Sequence, residues 1–489
     1  MQSIQYIQPL LLAMAPPLLA VPGIISARTP NLRETWTFAA ALLLLSAVIS
    51  MVPGVMAGNT YTWVVAEVLP GAPIAFRADA LGMLFALVSS SLWVVTSAYT
   101  LGYMRSLKEH AQTRFFAFFA VSIFCTVGVA FSANLLTMYL FYELLSFSTY
   151  PLVAHHQDEE SRRAGRKYLT FIVGTSIGLV LPAMIIIHNI TGNLDFTQQG
   201  AQLAGVDPTT ITILLTMMLF GFAKCALMPV HAWLPAAMVA PTPVSSLLHA
   251  VAVVKVGAFS ILRIITGTFG VENLQNLNLS AWVTGIAAFT MIAASLVALS
   301  QDGLKRRLAF STIGQLAYIA LGAGLMNTAG LTGGMLHIAM HAFGKITLFF
   351  CAGAIFVATG EKYISRMSGI GRRMPLTMTA FFLGSMSIIG IPVAGGFYSK
   401  WFLLNGCLDA GSYWLAGALL LSSLLNAAYF LPIVYRAWFC PADEATFTGP
   451  IKEAPLACVV PPLITAAVSV ALIFHPDPFL TLAKMAAGS

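Results

Sequence analysis

Fourteen runs of apolar residues, most of them about twenty long, follow one another along this 489-residue chain. As a helix each rises far enough to cross a hydrocarbon layer about 30 Å thick. The runs lie near 5–25, 34–56, 78–104, 114–132, 134–154, 166–189, 208–239, 242–268, 278–299, 306–325, 331–359, 375–407, 411–437 and 456–480. They leave only 9% of the residues charged, where a soluble domain carries about 25%. A mean hydropathy of +0.84 exceeds what a water-soluble core requires, so the excess must face lipid or neighbouring membrane helices. The expected fold class is all-α integral membrane, with about fourteen transmembrane helices embedded in a lipid bilayer.

The basic residues test that count independently, because Lys and Arg crowd the loops on the cytoplasmic side. Eighteen of the 25 fall in loops after odd-numbered runs, from Arg28 and Arg33 through Arg162, Arg163, Arg166 and Lys167 to Arg436 and Lys452. The loops on the other side hold Arg77, Arg263 and Lys484. This alternation survives only with an even number of crossings, so both termini are expected on the outer side of a prokaryotic cell membrane. The net charge of +7 is spread over these short loops and not gathered on one soluble face, which argues against a nucleic-acid partner. Without a basic leader or an A-x-A cleavage site, 5–25 reads as a retained first helix.

The six cysteines, among them Cys125, Cys225 and Cys351, include no C-x-x-C pair, and no nucleotide-binding glycine motif occurs. The expectation is therefore no cofactor, no metal and no redox chemistry of the chain's own.

The four remaining basic residues, Lys224, Lys255, Lys345 and Lys400, lie inside apolar runs. A lysine at mid-helix costs roughly 2.5–3.5 kcal/mol on the insertion scale. Lipid-facing packing does not explain four of them, so they should face protein or water. Glu143 is the acid in the middle of a run and the natural counter-ion for one lysine. His337, His341 and Lys345 recur at i, i+4 and i+8 and so share one helical face. His249 and Lys255, six residues apart, point to different sides of their run, with His249 a candidate water-mediated bridge between Lys224 and Lys255. The bland alternatives are a lysine snorkelling at a helix end, a hydrogen-bonded packing histidine, and a Lys–Glu pair that only fixes helix packing. Two His at i, i+4 could hold zinc, but no third ligand is near and an ammonium adjoins them.

Runs 7 and 12 exceed thirty residues and contain Pro229 and Pro392 near their middles. Proline removes a backbone donor and clashes with the preceding turn, so each run should break into half-helices. Broken helices at corresponding places in two halves point to an inverted-repeat transporter. The expected organisation is three N-terminal helices in 1–113, a five-helix unit in 114–268, its inverted counterpart in 278–437, and a last helix in 438–489.

At these residues the chain resembles the antiporter-like subunit family shared by Mrp-type Na⁺/H⁺ antiporters, respiratory complex I and membrane-bound hydrogenases. The matching stretches are YELLS (142–146), FAKCALMPVHAWLP (222–235), APTPVSSLLHA (240–250) with Lys255, and GGFYSKW (395–401). The resemblance implies that the family's proton-transfer groups in helices 5, 7, 8, 11 and 12 fall on Glu143, Lys224, Lys255, Lys345 and Lys400. A lysine in run 12 departs from the complex I middle subunit, where the place resembles a glutamate. The chain also ends near helix 14, without the lateral helix of the distal complex I subunit. SRMSGIGRR (365–373), Ser399–Trp401 and SSLLNAAYF (422–430) look most like the D subunit of Mrp antiporters.

The expected function is thus proton translocation along a Glu/Lys/His row, in company with other hydrophobic subunits of a larger complex, with protons and possibly Na⁺ as cargo. The alternatives are a proton-pumping membrane subunit of a complex I-like oxidoreductase or hydrogenase, a structural membrane subunit, and a stand-alone symporter.

Overall fold

A computed structural model describes residues 3–4, 7–196, 203–441 and 453–488, without the side chains of 3–4 and 247–250. Among these residues nine helices are long and apolar enough to cross a membrane. They are α1 (Ile7–Ser26), α2 (Pro30–Met56), α3 (Ala80–Ser106), α4 (Gln112–Ala130), α6 (Glu159–Thr191), α12 (Ser280–Ser300), α13 (Leu304–Leu325), α14 (Thr328–Thr359) and α17 (Tyr413–Phe439). The chain is a multi-pass membrane protein.

The other elements are shorter: α5 (Leu135–Val153), α7 (Pro208–Gly221), α8 (Trp233–Ala236), α9 (Thr242–Ala250), α10 (Val253–Arg263), α11 (Val271–Asn276), α15 (Pro375–Ile389), α16 (Gly396–Asp409), α18 (Leu456–Ala471) and α19 (Phe479–Ala487). The break in run 7 starts at Phe222, seven residues ahead of Pro229, and Lys224 lies in a 3₁₀ turn within it. Run 12 breaks where expected, with Gly390 at φ +89° and Pro392 between α15 and α16. Run 8, read as one helix, is also interrupted, at Val251–Ala252, so Lys255 sits in the first turn of α10.

The all-α expectation needs one correction. Thr60–Leu69 and Ala72–Ala78 form an antiparallel hairpin, and Ser3–Ile4 pairs parallel with its first strand. Thr60–Leu69 (TYTWVVAEVL) is rich in the β-branched and aromatic residues that suit a pleated surface. Pro70 and Gly71, the latter at φ +73°, supply the turn.

Every described residue of α13 is buried except near its start, and α14 packs against it while also meeting α3, α9, α15, α16 and α18. These two helices form the centre. By contrast α1, α2, α6 and α17 are only about one-third buried and present rows such as Leu420, Leu424 and Leu431 outward. Such faces are stable only against lipid or another membrane subunit.

Loop-to-loop bonds gather the basic loops at one end of the bundle. Arg105 pairs with Glu34, Arg33 donates to Gln112, and Arg114 donates to the His155 carbonyl. Lys305 donates to the Ala240 carbonyl, Ser365 to Asp302, and Arg307 to the Tyr429 carbonyl. Lys452 lies outside the described residues. At the opposite end Arg263 makes two hydrogen bonds to Asp79, 2.6 and 2.8 Å long, and Arg77 pairs with Asp195. Asp79 also caps α3 by accepting from Gly82 N–H. Removing one partner of a buried pair strands the other charge. Asp79→Ala should therefore destabilise the protein by on the order of 3 kcal/mol, seen as a lower unfolding temperature of the detergent-purified chain, whereas Asp207→Ala at the exposed start of α7 should shift it far less.

Candidate functional site

The four lysines all turn inward. Lys224, Lys255 and Lys345 are fully buried and Lys400 is 5% exposed, so none snorkels to an interface. What holds them differs from the expected ion pair.

Lys224 donates to the Tyr142 carbonyl at 2.6 Å and to Ser146 Oγ at 2.7 Å, and its Nζ lies 3.1 Å from the Tyr142 ring centroid. The two groups sit at i and i+4 on the inner face of α5. Glu143 is one residue further round, at the edge of the outward row Leu140, Leu144 and Phe147. Its carboxylate oxygens are shielded yet accept no hydrogen bond among the described residues, and no Glu143–Lys224 contact falls within ion-pair distance. The expected counter-ion contact is thus replaced by a carbonyl and a hydroxyl, because a step of about 100° along the helix separates Glu143 from the cradle.

The break around Lys224 is held from several sides. Lys224 N–H donates to Tyr142 Oη, Trp233 Nε1–H to the Ala223 carbonyl, and Met228 N–H to Thr290 Oγ1. Thr175 Oγ1, next to the π-helical turn Ser176–Val180 of α6, caps the Gly221 carbonyl at the end of α7. Gly257 of α10 touches this backbone so closely that a Cβ there would overlap Cys225 N.

Lys255 Nζ and His341 Nδ1 are in direct hydrogen-bond contact across α10 and α14. An ammonium and an imidazolium N–H cannot both donate to each other, so one of the two nitrogens accepts from the other. His337 and His341 stack nearly parallel, with ring centroids 5.7 Å apart and 11° between planes. His337 is bound on both sides, Nδ1 to Ser399 Oγ at 2.8 Å and Nε2 to Gln315 Oε1 at 3.1 Å, whereas His341 Nε2 has no partner among the described residues. Lys345 donates to Ser311 Oγ at 2.7 Å, which also accepts from Tyr429 Oη. Tyr429 in turn bonds Asn426.

Lys400 donates to the carbonyls of Ile388 and Ile389 and to Ser423 Oγ, at 2.9, 2.9 and 3.0 Å, and lies over the Tyr318 ring. Those carbonyls are the unsatisfied C-terminal groups of half-helix α15, where the helix dipole favours a cation. The structure therefore joins Lys255, His341, His337 and Ser399 in one polar seam, with Lys345 beside it, while Lys400 meets the seam only across the Tyr318 ring, which packs against both His337 and the Lys400 ammonium. Lys224 and Glu143 lie across the α10 contact, and no hydrogen bond links them to Lys255. The side chain of His249 lies outside the described residues.

Sequence reading missed Tyr142, Ser146, Ser311, Gln315, Ser399, Ser423 and Tyr429. Their signal was present: hydroxyl and amide residues inside apolar runs, one helical turn from or adjacent to a titratable group.

A profile described as NADH:quinone oxidoreductase/Mrp antiporter, TM matches residues 132–426. The chain belongs to this family. The matched stretch of the NADH:quinone oxidoreductase/Mrp antiporter family contains Glu143, all four lysines, His337 and His341. The chain is 31% identical to NADH-quinone oxidoreductase subunit N of Desulforudis audaxviator (strain MP104C) over 471 residues, 93% of this chain and 92% of the relative. It is 30% identical to hydrogenase-4 component B of Escherichia coli (strain K12), covering 87% of this chain and 67% of that one. Its fold is similar to a chain of the Mrp complex from Dietzia sp. DQ12-45-1b, with a TM-score of 0.88 at 24% identity over 99% of this chain and 97% of that one.

Within the family fold, the Gly257 contact is what lets α10 bring Lys255 beside the Lys224 break. Gly257→Ala should separate the two segments and destabilise the protein by about 1–3 kcal/mol, as overpacking does. Gly178→Ala, where an added Cβ meets nothing within 4 Å, is the matched control in the same thermal unfolding series.

Proposed function

We propose that this chain translocates protons along the Glu143, Lys224, Lys255, His341, His337, Lys345 and Lys400 row as one subunit of a larger membrane complex. The observation that carries the reading is the Lys255–His341 contact, in which two buried titratable nitrogens meet directly inside a membrane-spanning bundle. When the proton passes to His341 Nδ1, the ring becomes an imidazolium whose Nε2–H can be given up on the far side, which makes histidine a two-ended relay. Lys224 is held by a carbonyl one residue from Glu143. A swing of its flexible stem toward an ionised Glu143 would stabilise the ammonium, and the return would favour release toward Lys255. Lys400, seated on the carbonyls of α15, serves as the exit group.

The same reading assigns fourteen membrane crossings with both termini on the outer side, and two inverted five-helix units, 114–268 and 278–437. It is supported by the interruptions of runs 7 and 12, with Lys224 inside the first and the Lys400 ammonium on the carbonyls that end α15, and by the bonds that tie basic loops to their neighbours. The branch we favour is the D subunit of an Mrp-type Na⁺(K⁺)/H⁺ antiporter, on the lysine at position 400 and the stretches at 365–373 and 422–430. The likeness to subunit N over almost the full length of both chains favours the second reading, a proton-pumping subunit of a complex I-like oxidoreductase or hydrogenase.

Lys224→Ala and Glu143→Ala, in the assembled complex reconstituted into vesicles, should each lower ion-driven pH change by about a hundredfold, the low end of what a proton-transfer group contributes. Full transport with normal assembly would overturn the reading. Lys255→Met separates transport from scaffolding: a strut replaced by an apolar side chain is tolerated or stabilising, whereas a relay group so replaced leaves assembly intact and transport lost.

A further inference from the structure

At the basic end of the bundle, outside the proton row, the fold brings together four side chains that the sequence holds 45 residues apart. Glu109 and His110 lie in the loop between α3 and α4, and His155 and His156 directly follow α5. Glu109 Oε2 stands 3.7 Å from His155 Nε2, 3.7 Å from His156 Nδ1 and 4.0 Å from His110 Nδ1. Ligand atoms of Glu109, His110 and His156 all lie within 4.8 Å of one another.

These separations are too long for hydrogen bonds, so mutual hydrogen bonding does not account for the cluster. His155 is the decisive member. Its side chain is fully buried, and neither ring nitrogen has a hydrogen-bond partner among the described residues. A buried imidazole with both nitrogens unsatisfied calls for a ligand at that position. His110 is oriented as a ligand would be: its Nε2 lies 3.0 Å from the His155 carbonyl, which fixes the Nε2–H tautomer and leaves the Nδ1 lone pair facing Glu109. The backbone is also bent to this arrangement. Lys108, Ala111 and Gln157, flanking the four residues, adopt φ of 50°, 48° and 60°, which L-residues rarely hold.

We propose that Glu109, His110, His155 and His156 form a binding site for one divalent transition-metal ion of the Zn²⁺ class, stapling the α3–α4 loop to the end of α5. Three imidazoles with one carboxylate suit Zn²⁺, Co²⁺ or Ni²⁺, and do not suit Mg²⁺ or Ca²⁺, which take oxygen ligands. Bonds of about 2.0–2.1 Å put tetrahedral donors roughly 3.3 Å apart, so Glu109, His110 and His156, already within 4.8 Å of one another, close by moving about one ångström or less each, and His155 Nε2 joins them from 3.7 Å of Glu109 Oε2. His110, half exposed, and His156, one-third exposed, leave the ion a way in from water. Arg114, which donates to the His155 carbonyl at 2.9 Å, is the nearby charge that opposes the cation. The site uses none of the proposed proton-row residues, so its fate and that of the row are separable.

The test uses the full-length chain in detergent, stripped with EDTA and titrated with Co²⁺ and then Zn²⁺. The expected result is one equivalent of Co²⁺ with the intense visible absorption of a four-coordinate site, displaced by Zn²⁺. Affinity should fall at least tenfold in Glu109→Gln and His156→Ala, and remain unchanged in His188→Ala, whose ring bonds the Pro70 carbonyl at the other end. Because the His110 side chain is half exposed, His110→Ala should leave packing intact and still weaken binding. Less than one equivalent bound, or full affinity retained in His110→Ala and His156→Ala, would overturn the site.

Discussion

A positive charge inside a membrane must find polar partners within the protein, and here three of the four lysines find backbone carbonyls and hydroxyls, Lys224 among them, for which a carboxylate was expected. Lys224 sits on the Tyr142 carbonyl and Ser146, Lys345 on Ser311, and Lys400 on the two last carbonyls of α15 and Ser423. Each acceptor is neutral. An ammonium held by neutral dipoles is stabilised enough to reside there, without the deep electrostatic well of a tight ion pair that would fix its proton. The broken helices follow from the same constraint, since interrupted backbone at membrane depth persists only where protein satisfies it. Thr175, Tyr142 and Thr290 meet the groups freed around Lys224, and Lys400 meets those freed at the end of α15.

Much of this was legible in the chain itself. Long apolar runs announced the membrane, and residues such as His337, His341 and Lys345 announced their shared face because helical spacing is local information. Pro392 located the second break well. Pro229 located the first poorly, because the interruption starts at Phe222, where α10 and the Trp233 indole compete for the backbone and override the local proline signal. The Val251–Ala252 interruption of run 8 carries no proline or glycine, so nothing local marked it. The hairpin at 60–78 was hidden for a different reason: lying between two membrane runs, its alternating Thr, Tyr and Val residues were absorbed into a loop.

The relation between Glu143 and Lys224 shows where residue-type reasoning stops. Opposite charges in runs 5 and 7 suggested a contact, but which face of α5 points inward is set by tertiary packing. Tyr142 and Ser146 won that face, and Glu143 was left at its edge, against the row of apolar side chains turned outward. The Glu109 and His155 group is similar in kind. Two unremarkable dipeptides in separate loops become a cluster only when α4 and α5 fold side by side, and no spacing rule within one segment would have joined them.

The central helix α14 runs unbroken for 32 residues, while runs 8 and 12, which pack against it, are each cut in two. At about 1.5 Å per residue, the stripe from His337 to Lys345 spans roughly 12 Å along the helix axis. With that axis near the membrane normal, the stripe covers about two-fifths of a ~30 Å hydrocarbon layer. A charge moved from one end of the stripe to the other would then exchange about 0.9 kcal/mol with the transmembrane voltage for every 100 mV. The backbone that keeps these side chains in register would thereby also make their occupancy sensitive to the cell's electrical state.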